Sequence, residues 1–112
     1  MNLHDMNWSG SEKKVARRAY ETAHDLAVAR IVAEFKARAC AVSTLSDMWE
    51  MESYLKRKGR EVEELFDYRY SQLLFVFARL ISMGYLDEGQ LAGLSAEKLE
   101  IIRNVLAHMR AR

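Results

Sequence analysis

The chain has 112 residues, and its 17 Lys and Arg nearly balance 16 Asp and Glu, so nothing pulls it broadly toward nucleic acid or an anionic membrane. Half of the residues are hydrophobic and none is proline, a composition that favours helices in one domain with a modest core. The lone Cys40 excludes an intrachain disulfide or a CxxC pair; a small core hydrophobe in a reducing compartment is its expected role.

The opening "MNLHDMNWSG" lacks the basic start and apolar run of a secretory signal, and residues 1–9 are expected to form a flexible start. "SGSE" then offers Ser9 as an N-cap with Glu12 three residues later, a capping-box spacing that places the first helix start near Gly10. Val15, Ala19, Ala23, Leu26, Ile31, Phe35, Ala39, Val42, Leu45 and Trp49 follow at helical spacing. The spacing predicts one helix from Ser11 to Lys58, with "STLSD", Ser43 to Asp47, as its weakest stretch.

A helix of roughly 45 residues would be about 70 Å long, far beyond a globule with a radius of gyration near 13 Å. Its apolar stripe then requires another chain. A homodimer is expected, with Phe35, Val42, Leu45, Met48 and Met51 in the seam; a break near Ser43 and a compact monomeric bundle is the competing arrangement.

Gly59 suits a helix end, hinge or tight turn. Val62, Leu65, Phe66, Arg69, Leu73, Val76, Phe77, Leu80 and Ile81 predict a second helix, with Gly84 as its C-terminal cap. Within it, the apolar run Leu73 to Ala78 ends at Arg79, far short of the ~20 residues that a membrane span needs. "DEGQ", Asp87 to Gln90, starts one short turn, and "SAEK", with Ser95 as N-cap, starts a final helix through Leu99, Ile102, Leu106 and Met109. The predicted class is all-α: a long N-terminal helix, a second helix and a small C-terminal helical head, forming one domain over residues 10–112. A cytoplasmic protein without membrane insertion is expected.

Candidates for catalysis are poor. His4, His24 and His108 have no metal-ligand spacing, and Glu61, Glu63 and Glu64 suit a solvated helix start. Neither an enzyme nor a metal or cofactor is expected. "KRKGR", Lys56 to Arg60, is the one concentrated basic run; flanking acids favour a solvated helix end or an acidic protein contact over nucleic acid. Trp49 and Tyr54, with Met48 and Met51, suit either the dimer seam or a partner anchor. In "FDYRYS", helical spacing puts Arg69 on the apolar stripe. Such an arginine would need partners for its five donors, so Asp67, Tyr68, Arg69 and Tyr70 are expected to form a buried polar clamp that fixes helix register.

The stretch "DMWEMESYLKRKGREVEELFDYRYSQLLFVFARLISMGYL" resembles the fluorescence recovery protein family of cyanobacteria. "DYRYS" followed by "FVFARL" is the most specific part. The resemblance covers Asp47 to about Leu99, while "NWS" and the first helix match loosely. It implies a small all-helical homodimer without a cofactor, which binds the photoactivated orange carotenoid protein, mainly through that protein's C-terminal domain. Such binding speeds the return from red to orange form and ends photoprotective quenching at the phycobilisome.

In the family the partner-contacting patch holds a tryptophan, matched by Trp49, and a His-Asp pair a turn later, which reads Glu52 and Ser53 here. An arginine follows where this chain has Gly59, with Arg60 adjacent. The implied contact surface is Trp49, Glu52, Ser53, Tyr54 and Arg60. The departures also fit a homologous helical dimer that binds a different protein, such as a relative of the carotenoid protein's C-terminal domain. A third, weaker reading is a nucleic-acid-binding dimer using Lys56, Arg57, Lys58 and Arg60.

Overall fold

The computed structural model describes residues 6–111. Four α-helices form in the order α1 (Gly10–Cys40), α2 (Leu45–Leu65), α3 (Leu73–Ser82) and α4 (Ala96–Arg110), with a 3₁₀ turn at Glu88–Leu91 before α4. No β-strand forms among the described residues. The all-helical expectation holds, and the helical head is closed by α3, the 3₁₀ turn and α4.

Helix α1 begins at the anticipated capping box: the Glu12 amide donates to Ser9 Oγ and the Ser9 amide donates back to Glu12 Oε1. It does not run on to Lys58. It stops at Cys40, and residues 41–44 turn the chain before α2 starts at a second capping box, Thr44 with Asp47. The amides of Ser43 and Thr44 both donate to Asp47 Oδ2, so a single carboxylate holds the corner. These contacts, led by the Ser43 amide and the Thr44 side chain, keep the Asp47 carboxyl below its ordinary pKa. Cys40, at the last position of α1, is exposed rather than part of the core.

Helix α2 folds back antiparallel to α1. Tyr54 packs under Arg38 near the corner, and Phe66 meets Tyr20 and His24 farther along. Gly59 lies inside α2 and interrupts nothing; its helical cost of roughly 0.5–1 kcal/mol is borne by regular helix on both sides. The break comes instead at Phe66, whose extended backbone (φ −102°, ψ 91°) ends α2, and residues 66–72 separate it from α3. The molecule measures 53 × 28 × 21 Å with a radius of gyration of 16.9 Å. It is thus a broken hairpin, yet more elongated than the compact bundle that a break near Ser43 suggested.

The core lies in the head. Phe77, Leu73 and Leu80 of α3 are fully buried with Leu91 of the 3₁₀ turn and Ile102 of α4, against Ala16, Ala19 and Ala23 of α1. Alanines on α1 let the head approach that helix closely. At Gly93 the approach is closest: φ is +113°, and an added Cβ would lie 2.9 Å from Val15 Cγ2. Gly84, at φ +80°, caps α3 as expected, with the Tyr85 amide donating to Leu80 O and Arg30 Nη1 to Gly84 O. Of the expected flexible start, Met6 and Trp8 instead pack against the core; residues 1–5, His4 among them, lie outside the described residues.

One buried ion pair ties the head to α1. The Lys98 ammonium sits 3.1 Å from Glu12 Oε2 and donates to Asn7 O, while the Ser95 amide donates to Glu12 Oε2. Glu12 therefore caps α1 and also accepts from the N-cap residue of α4.

Candidate functional site

At 100° per residue, α2 divides into two faces. Met51, Tyr54, Lys58 and Leu65 point inward toward the rest of the chain, and Leu65 and Tyr54 are buried. Trp49, Glu52, Ser53 and Arg60 fall within roughly 100° of one another on the opposite side, all exposed. Trp49 is 58% exposed, an unusual position for the largest side chain. Glu52 reaches Lys56 at 3.8 Å one turn on, and no acid pairs with Arg60 among the described residues.

Four of the five expected contact residues thus share a face, and the fifth does not. Tyr54 is only 4% exposed; it lies on the inward side of α2, packed under Arg38 of α1. Burial, reinforced by the Glu34 carboxylate, pushes the pKa of its hydroxyl up. Its ring lies under the Arg38 guanidinium at 4.3 Å, with Arg57 and Lys58 farther off. Burial lowers the Lys58 pKa, but Glu61 at 3.2 Å more than offsets this, so the ammonium stays charged.

A shallow cleft of about 430 Å³ opens beside Trp49 and includes Ser53, Tyr54, Arg38, Glu50 and Arg57. Arg38 is the residue that sequence reasoning missed, and Arg57 was named there only within the basic run. Arg57 lies one further helical turn from Ser53 and was legible as such. Arg38 reaches the site only because the chain reverses at residues 41–44. Among the expected seam residues, Leu45 and Met48 are exposed, Phe35 is half-buried, and Val42 and Met51 line a smaller cleft in the corner between the helices.

The polar cluster at "DYRYS" differs from the buried clamp that helical spacing predicted. Residues 66–69 are not helical, and the Arg69 side chain is 69% exposed. Its guanidinium does pair with Asp67, Nε to Oδ1 at 2.8 Å and Nη2 to Oδ2 at 2.5 Å, but at the surface. Phe66 and Tyr68 turn the other way onto Tyr20, and Tyr70 packs between Trp8 and Tyr68. An aromatic cluster fixes this segment, with the ion pair outside it.

Among the described residues no group of three or more His, Cys, Asp or Glu could hold a metal ion, and no helix is long and apolar enough to cross a membrane. His24 meets the edge of Phe66, with Asp25 at 4.0 Å. Fold and face together define a small all-helical scaffold that presents an open, aromatic and charged surface.

Residues 8–107 match the family model described as photoprotection regulator fluorescence recovery protein, and the chain belongs to that family. It is 28% identical over 96 residues to the fluorescence recovery protein of Synechocystis sp. (strain ATCC 27184 / PCC 6803 / Kazusa), covering 86% of this chain and 88% of that one. The solved structure of the Fremyella diplosiphon fluorescence recovery protein superposes with a TM-score of 0.87 at 35% identity, over 92% of this chain and all of the other. That from Synechocystis sp PCC 6803 gives 0.86 at 27% identity, over 90% and 99%.

Proposed function

We propose that this protein is a dimeric regulator that binds a photoactivated orange carotenoid protein in the cytoplasm and accelerates its return from the red to the orange form. The observation that carries this reading is family membership together with the outward placement of Trp49. The protein acts by binding rather than by catalysis of a covalent step. To accelerate relaxation, Trp49, with Glu52, Ser53 and Arg60 on the same face of α2, must hold the transition state of domain closure more tightly than the red ground state.

The dimer reading rests on unburied apolar surface along the hairpin. Leu45, Met48, Trp49 and Leu55 of α2 and Val28 and Val32 of α1 are all exposed in one chain. A second copy packed through Leu45 and Met48, with Phe35, Val42 and Met51 beneath, would cover part of this surface and leave Trp49 at the rim. Met48→Glu should then halve the molar mass seen in light scattering; an unchanged mass would overturn this seam.

Glu52 and Ser53, where the family's pair is His-Asp, favour a second reading: the same scaffold serving another protein, related to the carotenoid protein's C-terminal domain. The deciding experiment is dark recovery of a purified orange carotenoid protein with and without this protein at equal dimer concentration. Acceleration that Trp49→Ala abolishes supports the first reading. No acceleration by a folded dimer refutes it and favours the second.

A further inference from the structure

A second cleft, of about 590 Å³, opens at the head end of α1. Lys13, Lys14, Arg17 and Arg18 stand along α1, with Tyr68 and Tyr70 of the segment after α2 across from them. Four cations at positions i, i+1, i+4 and i+5 form two adjacent rows on one side of the helix. Glu12, the only acid nearby on the preceding turn, is consumed by Lys98 and by the Ser9 and Ser95 amides.

The cations are held ready. The Arg17 guanidinium lies 3.9 Å from the Tyr68 ring centroid, and Lys13 Nζ lies 5.5 Å from that of Tyr70. Stacking covers one face of a guanidinium and leaves its edge of N–H donors open. Glu21 approaches Arg17 only to 4.0 Å, with both side chains more than half exposed. Lys13, Lys14 and Arg18 have no ion-pair partner among the described residues. The Tyr68 hydroxyl is buried, and burial, with Tyr70 beside it, keeps it protonated, so no second negative charge competes for these cations.

The cleft also selects the shape of an anion. At its far end the lining turns acidic, with Glu21 and Asp25. A uniform polyanion such as nucleic acid, or the flat face of an anionic bilayer, would run its charge onto these two carboxylates. A protein segment with its acids in one short block would not.

We infer that this cleft docks a short acidic segment of a protein, whose carboxylates pair with Lys13, Lys14, Arg17 and Arg18. Arg17 and Arg38 are separated by roughly 32 Å of α1, so this surface is distinct from the face around Trp49. It therefore stands or falls independently of the partner proposed for that face.

The test uses a fluorescein-labelled peptide with a block of consecutive glutamates in a Gly/Ser background, followed by anisotropy and by amide chemical shifts of the labelled protein. Saturable binding is expected, with shifts gathered on residues 13–18, 68 and 70. Lys13→Glu with Arg17→Glu should weaken it by about tenfold or more, while Trp49→Ala leaves it unchanged. If the first pair of substitutions disturbs the circular dichroism spectrum, Lys14→Glu with Arg18→Glu repeats the test on a second exposed pair that stacks on neither tyrosine. Absence of saturable binding, shifts centred on Lys56 to Arg60, or tighter binding of oligothymidylate or phosphatidylserine vesicles would each overturn the inference.

Discussion

Glu12→Gln removes one charge from a pair that is almost sealed from water, Glu12 being 8% exposed and Lys98 4%. The Ser9 amide does most to lower the Glu12 pKa; burial opposes it, and the Ser95 amide and Lys98 ammonium take it from 4.5 to about 2. At about 1.4 kcal/mol per pH unit, that difference makes the ionised form contribute ~3 kcal/mol to folding at neutral pH. The sign follows from proton counting. Between pH 4.5 and 2 the unfolded chain binds the proton that the folded chain refuses, so stability is complete above 4.5 and falls away as pH drops through 2.

Glutamine keeps the volume but sets an NH₂ against one amide donor and leaves Lys98 charged without its counter-ion. Urea titrations of both proteins at matched concentration should therefore show a stability gap of ~3 kcal/mol at pH 6. The gap should stay level down to about pH 4.5 and narrow below it. A gap that is constant from pH 6 to 2.5 would refute the assignment of this energy to the carboxylate's charge.

Gly93→Ala should destabilise by roughly 1–3 kcal/mol, since the left-handed backbone and the Val15 methyl both oppose a Cβ; an unchanged urea midpoint would show that the loop moves away freely. Phe77→Ala empties the centre of the head and should cost about 3–5 kcal/mol, read as loss of the cooperative transition or a large fall in its midpoint. Arg69→Leu should leave thermal unfolding unmoved, because its ion pair with Asp67 is at the surface; a clear fall in melting temperature would restore the buried clamp.

Much of the helix pattern was legible, and the failures have identifiable causes. Ser9 with Glu12 was readable as a capping box, yet Thr44 with Asp47 has the same reciprocal chemistry inside the stretch rated weakest. The corner at residues 41–44 leaves Val42, Leu45 and Trp49 at the same threes and fours as a continuous helix, so periodicity passed over it. At "FDYRY" the apolar period was extended through a segment that carries another one. Phe66, Tyr68 and Tyr70 alternate with Asp67 and Arg69, the period of an extended chain, and the structure turns Phe66 and Tyr68 onto Tyr20 while the Asp67–Arg69 pair stays outside and Tyr70 remains exposed beside Trp8. Contacts such as Glu12 with Lys98 and Arg38 with Tyr54 depend on chain reversal and carry no local signal.

Residues that fix the fold and residues proposed to face a partner are nearly separate sets here. The head is held by Phe77, Leu73, Ile102, the Glu12–Lys98 pair and the positive-φ glycines Gly84 and Gly93. None of these reaches the outer side of α2, where Trp49, Glu52, Ser53 and Arg60 stand exposed on a helix whose other side is anchored by Tyr54 and Leu65. Substitution on that outer side carries little folding penalty, so Glu52 and Ser53, where the resemblance implies a His-Asp pair, leave the scaffold intact. The two residues differ by about 100° around the helix, which moves the negative charge toward Met48 and Leu55 and away from Arg57. A change of that kind alters which partner charges would be matched rather than whether the hairpin forms.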